Sequence, residues 1–367
     1  MIYDDILADL NGQHRLRSIP EGMDGLDLIS NDYMGLGARY SEFMEGFRHR
    51  FPDVAMSASA SRLLQRRQDC HAMLEARLDA LYGKRSLIFN SGYHANVGAL
   101  SALSLPSTLI VSDKLAHASM IDGIRLGAGD SARFAHNDMD MLRRILDRKA
   151  GAYRQVVIVT ESVFSMDGDL APLGELVEIK KRYPGTLLYV DEAHAFGVMG
   201  ERGLGLAERL GLIGDIDIIV GTFGKAAAGC GAFVATSQTL HDYLVNSARS
   251  FIFSTALPPA VAAWDLYMVD TLIGMTEERR SLAEMADWFR NALAESAGRE
   301  SVSGSHIVPV HAGSAARAIE IAARLRGAGI DALPIRRPTV PAGGERVRLS
   351  LSANLSRRDL QRVLDAL

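Results

Sequence analysis

Two segments of the sequence each place a reactive side chain at the end of an apolar run. The run TLLYVD ends in Asp191 with His194 close behind, and the run IIVGTFGK presents Lys225. Because the carboxyl ends of parallel strands share one edge of a sheet, the carboxylate and the amine are expected to lie close together. An amine that condenses with an aldehyde, beside a carboxylate that keeps a pyridine nitrogen protonated, is what pyridoxal phosphate (PLP) chemistry requires. From this pair alone, a salt bridge at the strand ends is the commoner explanation.

Three further residues follow apolar runs in two other segments. FNSGYHAN puts Gly92 and Tyr93 at a predicted helix start, where backbone N–H groups can approach a phosphate and the tyrosine can cover a ring. SDKLAHASM puts His117 where it can stack on the opposite face of that ring. Taken singly, an ordinary glycine turn, a packed aromatic side chain and a hydrogen-bonded structural histidine explain these residues equally well or better.

Two loops complete the set of polar strand ends. In ESVFSMDGDLAPL, Ser165 lies beside an Asp-Gly turn and is a candidate contact for a phenolic oxygen. In GTFGKAAAGCGAF, the small Gly and Ala residues around Lys225 leave room for a cofactor and a substrate, although close strand–helix packing also explains them.

The elements that position these side chains alternate along the chain. Strand–helix alternation of this kind predicts an α/β domain with a largely parallel sheet. Seven strand-like runs are expected at 86–90, 108–113, 133–136, 155–161, 186–191, 216–221 and 231–236. Helical patterns are expected at 70–82, 95–102, 139–147 and 173–182.

The pattern changes after about residue 237. Helices are expected at 240–249, 259–274, 277–296, 315–327 and 357–367, with strands at 307–311 and 346–351. This indicates a smaller α/β domain. The predicted division is an N-terminal arm at 1–40, with a short helix and an extended piece, a large domain at 41–265 and a small domain at 266–367.

The overall composition excludes several classes of protein. The chain has 367 residues, of which 48% are hydrophobic and 23% charged. Its formal net charge of -4 argues against a nucleic-acid binder. Two cysteines, Cys70 and Cys230, make neither a disulfide framework nor a zinc motif, so no metal is expected. No long uncharged apolar run and no signal peptide is recognised, so the expected location is the cytoplasm, with no membrane partner.

The motifs together resemble those of the α-oxoamine synthases, a branch of the fold-type-I PLP enzymes. The resemblance runs from SNDYMGLG (30–37) to RVRLSLSA (346–353), and DEAHAFG and TFGK are its strongest family markers. The stretch PTVPAG is most similar to the branch that makes 8-amino-7-oxononanoate for biotin. The resemblance implies a fold-type-I PLP transferase: a mainly parallel seven-stranded sheet between helices, with a smaller C-terminal α/β domain.

The resemblance also implies a role for each matching residue. Lys225, His117 and Asp191 would be catalytic, with Lys225 bonded to the cofactor and moving the Cα proton. The cofactor-binding set would be Gly92, Tyr93, His117, Ser165, Asp191, His194, Thr222, Lys225 and, from the neighbouring subunit of a homodimer, Thr255. The substrate-binding set would be Arg17 (or Arg15), Asn31, His117, Thr339 and Arg348.

The implied reaction is a decarboxylative condensation of a small L-amino acid with an acyl thioester. L-Alanine and a pimeloyl thioester, carried by coenzyme A (CoA) or acyl carrier protein, are the substrates implied for the most similar branch. The alternatives are glycine C-acetyltransferase, another acyl-chain synthase of the family, and a non-catalytic partner subunit, which the intact set Lys225, Asp191, His194 and His117 argues against. A Rossmann dehydrogenase is disfavoured because no GxGxxG motif follows an early strand.

Overall fold

The computed structural model describes residues 1–19, 22, 24–66, 69–297 and 302–367. The strands in this part of the chain are β1 (Leu26–Asp27), β2 (Arg85–Phe89), β3 (Thr108–Asp113), β4 (Asp130–Phe134), β5 (Gln155–Glu161), β6 (Thr186–Asp191), β7 (Ile218–Thr222), β8 (Ala232–Thr236), β9 (Ile307–His311), β10 (Ile330–Asp331), β11 (Leu333–Ile335) and β12 (Arg346–Ser350). The α-helices are α1 (Ile2–Gly12), α2 (Tyr40–Arg50), α3 (Asp69–Tyr82), α4 (Gly92–Leu103), α5 (Ala118–Leu126), α6 (Met139–Lys149), α7 (Leu173–Arg182), α8 (Leu206–Arg209), α9 (Gln238–Ser247), α10 (Arg249–Ile252), α11 (Pro259–Gly274), α12 (Thr276–Ala297), α13 (Ala315–Gly327) and α14 (Arg357–Ala366).

The largest sheet has seven strands in the order β2-β8-β7-β6-β5-β3-β4. Strand β8 runs antiparallel to its neighbours β2 and β7, and the remaining pairs are parallel. Every residue of β3 and β7 is buried, which explains why these strands read as continuous apolar or small-residue runs rather than alternating ones. The predicted mainly parallel seven-stranded sheet is confirmed.

Helices α4 and α5 pack together beside this sheet. Their side chains Ala99, Leu100 and Met120 are fully buried, as are Ile110 and Val157 of the sheet in the same apolar cluster. Gly123 of α5 allows the close approach, since a Cβ there would lie 2.8 Å from the carbonyl oxygen of Asn96 in α4. The N-terminal turns of the two helices are thereby held next to each other.

The smaller sheets lie in the terminal parts of the chain. Strands β11, β12 and β9 form an antiparallel sheet in that order, and β1 pairs in parallel with β10. Helix α14 begins with a capping box in which Ser356 and Asp359 satisfy each other's backbone N–H groups. The expected short helix and extended piece of the arm correspond to α1 and β1.

The chain divides into two compact units: Met34–Phe164 with Leu170–Arg279, and Met1–Tyr33 with Ser165–Asp169 and Arg280–Leu367. These bounds differ from the predicted arm at 1–40 and domains at 41–265 and 266–367. Residues 1–33 group with the C-terminal part because β1 pairs with β10. Residue 265 lies inside α11, and this helix belongs to the larger unit, where Asp270 accepts hydrogen bonds from Arg50 and Arg77.

Most predicted elements match within one to three residues. Strand β4 begins and ends earlier than the predicted 133–136, and the helix predicted at 240–249 is broken into α9 and α10 at Ala248. The predicted set lacks α5, whose sequence ASMIDGIRL is short and contains a glycine. No described helix is long and apolar enough to cross a membrane.

Candidate active site

A cavity of about 210 Å³ lies in the larger unit, where β5, β6 and β7 end and α4 and α5 begin. The parallel strands end at one edge of the sheet, so their terminal side chains converge there, as expected for ligand sites of open sheets. The cavity is lined by Gly92, Tyr93, Asn96, His117, Ser119, Glu161, Asp191, Ala193, His194, Thr222 and Lys225.

Asp191 is the last residue of β6, and it is only 6% exposed. Its Oδ2 accepts a hydrogen bond from Asn96 Nδ2 at 2.7 Å, and its Oδ1 accepts one from the Ala193 N–H at 2.8 Å. Both donors are neutral. The negative charge of Asp191 is therefore held in place and remains available to a cationic group in the cavity.

Lys225 lies in the loop that follows β7. Its Nζ is 3.0 Å from Nε2 of His194, three residues beyond Asp191. Thr222 at the end of β7 donates its hydroxyl hydrogen to the Gly231 carbonyl, which ties the two ends of the lysine loop together. A primary amine, an imidazole and a carboxylate therefore share one cavity, as the strand-end argument predicts.

His117 precedes α5 and caps its first turn. Its Nδ1 lies 2.7 Å from the Ser119 hydroxyl, and Ser119 Oγ is in turn 3.0 Å from Asn96 Nδ2. Burial lowers the pKa of the His117 imidazole from its usual value. The histidine is thus linked by hydrogen bonds to the same asparagine that holds Asp191.

Glu161 ends β5 and is paired in register with Asp191 on β6. It is 3% exposed, and its carboxyl accepts a hydrogen bond from the backbone N–H of His117. Burial first, and then the Asp191 carboxylate, raise the pKa of Glu161 well above its usual range. A second carboxyl group, whose charged form is disfavoured by burial, thus lies beside Asp191.

The first turn of α4 faces the same cavity. Ser91 caps this helix by accepting from the His94 N–H, and the N–H groups of the first turn of any helix lack intrahelical partners. Tyr93 is 48% exposed and donates to Asp122 at 2.5 Å. Gly92 and Tyr93 thus stand at a helix N-terminus, a position that suits a phosphate.

The fully buried Glu192 supports the loop behind the cavity. Its carboxylate oxygens accept from the N–H groups of Leu206 and Ala207 at the start of α8. Burial, partly offset by hydrogen bonds, raises the pKa of Glu192 to about 7. Gly205 allows the contact: its φ is 114°, and a Cβ there would lie 2.6 Å from the Glu192 carboxyl carbon.

Two predicted cofactor contacts, Ser165 and Thr255, are not among the residues that line this cavity. Ser165 belongs to the smaller unit, where its carbonyl accepts from Arg348 at 3.3 Å. Thr255 is exposed in the larger unit; it pairs with Ser61 in an isolated bridge, and its carbonyl accepts from Asn90. Its predicted contact is to a neighbouring subunit, and both roles stay predictions.

The predicted substrate-binding residues of the smaller unit form two groups. Arg348 of β12 donates to Asn31 Oδ1, which also accepts from the Tyr33 hydroxyl at 2.9 Å. Arg17 donates to Thr339 Oγ1 at 2.8 Å. The structure therefore brings together Asn31 with Arg348, and Arg17 with Thr339.

The cavity is also lined by three residues that were not predicted from the sequence: Asn96, Ser119 and Glu161. Asn96 lies in the FNSGYHAN segment and Ser119 in SDKLAHASM, on helices whose facing sides the sequence does not reveal. Glu161 is the terminal residue of a predicted strand, so the strand-end rule that selected Asp191 was a signal that could have found it.

The comparisons with known proteins show the family of the chain. Residues 23–367 match the family model described as aminotransferase class I and II. The 8-amino-7-oxononanoate synthase of Chlorobaculum parvum is 47% identical, over 95% of this chain and 93% of that protein. A protein named as a putative 8-amino-7-oxononanoate synthase of Pasteurella multocida is 44% identical, over 100% and 98%. A solved serine palmitoyltransferase with PLP as an internal aldimine has a TM-score of 0.84 and 30% identity, over 92% of this chain and 85% of that one.

The donor set of the cavity fits pyridoxal phosphate. The cofactor needs an amine for its aldehyde, an anion for its pyridinium nitrogen and N–H donors for its phosphate. Lys225, Asp191 and the first turn of α4 supply these three, and Asp191 has no basic side chain paired with it among the described residues. The chain belongs to the aminotransferase class I and II family and, within it, to the α-oxoamine synthases, which are PLP-dependent acyltransferases.

Proposed function

We propose that this enzyme condenses L-alanine with a pimeloyl thioester, releasing CO2 and the thiol carrier and forming 8-amino-7-oxononanoate for biotin synthesis. One observation carries the proposal: the Lys225 amine, the Asp191 carboxylate and the N-terminus of α4 line one cavity. The chain is 47% identical to a relative named 8-amino-7-oxononanoate synthase and 44% identical to one named as a putative 8-amino-7-oxononanoate synthase. The carrier is CoA or acyl carrier protein.

Lys225 and Asp191 are assigned the two catalytic roles closest to the reacting Cα–H bond. Bound in the cavity, PLP supplies an electron sink for the bond electrons of the substrate Cα–H. Asp191 would keep a proton on the pyridine nitrogen, since among the described residues its hydrogen-bond donors are the neutral Asn96 and Ala193. Lys225 would hold the cofactor through Nζ, and the same atom, as a free amine, would take up the Cα proton.

The other cavity residues orient the cofactor. His117 would cover the cofactor ring, and His194, with Nε2 3.0 Å from Lys225 Nζ, would contact its phenolic oxygen together with Ser165. Gly92, Tyr93 and Thr222 would hold the phosphate. The first turn of α4 supports the assignment of Gly92 and Tyr93, because a helix N-terminus favours an anion.

The substrate contacts are assigned to the smaller unit. Asn31 and Arg348 bind the carboxylate of the amino acid, and Arg17 and Thr339 contact the acyl substrate. Neutral oxygens accept the hydrogen bonds of Arg348, and no carboxylate among the described residues pairs with its positive charge. This supports its use for a substrate anion.

A homodimer completes the site, with Thr255 reaching the phosphate held by the neighbouring subunit. Large apolar side chains near Thr255 support an interface, because Phe253 is 70% exposed and Leu64 is 75% exposed. Sedimentation of the purified chain should give a dimer, and Phe253→Glu should shift it toward the monomer. A wild-type monomer with full activity would contradict this part of the proposal.

The reaction is tested by a matrix of substrates. The purified enzyme is assayed with L-alanine, glycine or L-serine against pimeloyl-CoA, pimeloyl acyl carrier protein, acetyl-CoA or palmitoyl-CoA. Thiol release and the product mass are followed. L-Alanine with a pimeloyl thioester should give the highest kcat/KM, and glycine should be roughly 10- to 200-fold poorer, the scale of one methyl group.

Two outcomes would redirect the assignment. Faster turnover of glycine with acetyl-CoA would make the enzyme a glycine C-acetyltransferase. Cofactor binding without turnover of any pair would favour a non-catalytic subunit.

A further inference from the structure

Three buried residues and His117 form a chain of hydrogen bonds whose directions are set by their chemistry. Tyr189, Asn96 and Ser119 are each no more than 1% exposed, and the chain ends at His117. The atoms in order are Tyr189 Oη to Asn96 Oδ1 at 2.7 Å, Asn96 Nδ2 to Ser119 Oγ at 3.0 Å, and Ser119 Oγ to His117 Nδ1 at 2.7 Å.

Asp191 decides which way the Asn96 amide points. A carboxylate only accepts hydrogen bonds, so the atom 2.7 Å from Asp191 Oδ2 must be the amide nitrogen. The amide oxygen then faces the Tyr189 hydroxyl, which donates to it. The second amide hydrogen is directed to Ser119 Oγ.

Ser119 therefore has one hydrogen left, and it goes to His117. An amide nitrogen cannot accept, so Ser119 Oγ must accept from Asn96 and donate its own hydrogen elsewhere. The backbone N–H of Ser119 also donates to His117 Nδ1, at 3.3 Å. An N–H directed at Nδ1 excludes a hydrogen on that nitrogen, so Nδ1 carries a lone pair and Nε2 carries the proton.

Two features disfavour the doubly protonated ring. His117 caps the N-terminus of α5, where the helix dipole opposes a positive charge. Burial and the Lys225 amine lower the pKa of the imidazole, against the Asp191 and Asp122 carboxylates. Glu161, which accepts from the His117 N–H, holds the residue's backbone.

We propose that Asn96 and Ser119 are positioning residues that fix His117 as the neutral Nε2–H tautomer. His117 then offers a hydrogen-bond donor to an oxygen of the bound substrate and cannot itself accept a proton at Nε2. The Cα proton is therefore left to Lys225. This consequence for catalysis rests on the proposed function, whereas the tautomer is a property of the chain alone.

The test reads the tautomer directly. Full-length protein labelled with ¹⁵N-histidine is prepared with and without PLP, and long-range ¹H–¹⁵N spectra distinguish a protonated from an unprotonated ring nitrogen. The His117 signals are assigned by their loss in His117→Asn. Wild type should show the Nε2–H form alone at neutral pH, with or without cofactor. The spectrum without PLP does not depend on catalysis. It therefore tests the His117 tautomer even if the proposed reaction is wrong.

Ser119→Ala and Tyr189→Phe form a matched pair. Each removes one buried hydroxyl, but only Ser119 donates to the ring. Ser119→Ala should reduce the preference for Nε2–H about tenfold, the scale of one hydrogen bond, and give a visible mixture. Tyr189→Phe should keep the single tautomer, because Asp191 still orients the Asn96 amide.

Asn96→Asp offers a further variant with an opposite donor pattern. The new carboxyl oxygen accepts the Ser119 hydrogen, so Nδ1 loses its donor and the preference for Nε2–H should fall as in Ser119→Ala. The titratable groups that face His117 are Asp191, Glu161, Asp122 and Lys225.

Three results would overturn the proposal. These are a wild-type ring with hydrogen on Nδ1, a tautomer ratio in Ser119→Ala equal to that of wild type, and an equal loss of preference in Tyr189→Phe and Ser119→Ala.

Discussion

The cavity of the larger unit and the Arg348 cluster of the smaller unit each hold one charged side chain by hydrogen bonds to neutral groups. The charge is negative in the cavity and positive in the cluster. In the cavity, the negative Asp191 is held by the neutral donors Asn96 and Ala193. In the cluster, the positive Arg348 is held by neutral oxygens of Asn31, Ser350 and Ser165. Each charge is fixed in position without being neutralised.

The two regions differ in how deeply the charge is buried. Asp191 is 6% exposed and is surrounded by other titrating groups, whereas Arg348 is half-buried on a three-stranded antiparallel sheet. Arg346, two residues away on the same strand, shows the structural alternative, because it forms an ion pair with the carboxylate of Asp167. A charge paired with neutral groups is therefore the better indicator of a ligand site than a charge in a salt bridge.

Lys225→Ala should have the largest effect on turnover. This substitution changes the cavity and leaves the Arg348 cluster unaltered. Removing the amine abolishes the covalent attachment and the proton acceptor, so turnover should fall roughly 10²- to 10⁴-fold or more. The visible absorption band of the lysine-bound cofactor should vanish. Lys149→Ala, at an exposed lysine that ends α6, is the control. A variant that keeps both the band and turnover would remove Lys225 from the site.

Asp191→Asn tests whether the retained negative charge matters. The amide can still accept one hydrogen bond but carries no charge for the pyridine nitrogen. Turnover should fall roughly 10²-fold, the scale of losing a preorganised electrostatic contact, while bound cofactor is largely retained. Cofactor content by absorbance and kcat by thiol release measure the two separately. An unchanged kcat would contradict the assigned role.

Arg348→Lys and Arg346→Lys compare an arginine proposed to bind substrate with a neighbouring arginine that forms a salt bridge. Lysine cannot reproduce the planar guanidinium, so KM for the amino acid should rise roughly ten- to hundredfold with a smaller change in kcat. Arg346→Lys should instead lower the free energy of unfolding by about 1–3 kcal/mol and leave KM unchanged, because its partner is Asp167. Equal effects of both substitutions on KM would erase the distinction between a ligand-binding and a structural arginine.

Glu192→Gln should show the smallest effect, on stability and its pH dependence. The pKa of Glu192 is about 7 in the folded protein, against 4.5 for an ordinary glutamate. Between these values the unfolded chain ionises first, so wild type should lose stability relative to the variant as pH rises, by about 1 kcal/mol per pH unit. Denaturant unfolding at pH 4.5, 6 and 7.5 measures this difference, and a difference that stays constant would contradict the buried, protonated carboxyl.

The ends of the buried strands could be predicted because a strand buried on both faces must be continuously apolar, and a polar residue then marks its end. Asp191 and Lys225 were found in this way, and the cavity contains both. Asn96 and Ser119 could not be found, since a buried polar residue in a helix looks like an exposed one until its neighbours are known. The grouping of residues 1–33 with the C-terminal part also depends on a distant contact, because β1 pairs with β10, and these strands come from opposite ends of the chain.

Local properties of the amino-acid sequence were enough to establish the sheet, the polar strand ends and, through the family motifs, the cofactor. Apolar periodicity and short motifs can be recognised without knowing which distant segments meet. The three-dimensional contacts alone establish that Asp191 is held by an amide rather than a base, and that the Asn96–Ser119 pair faces His117. Those relations depend on the approach of α4 to α5 at Gly123 and on the register of β5 with β6, which are contacts between segments far apart in the chain.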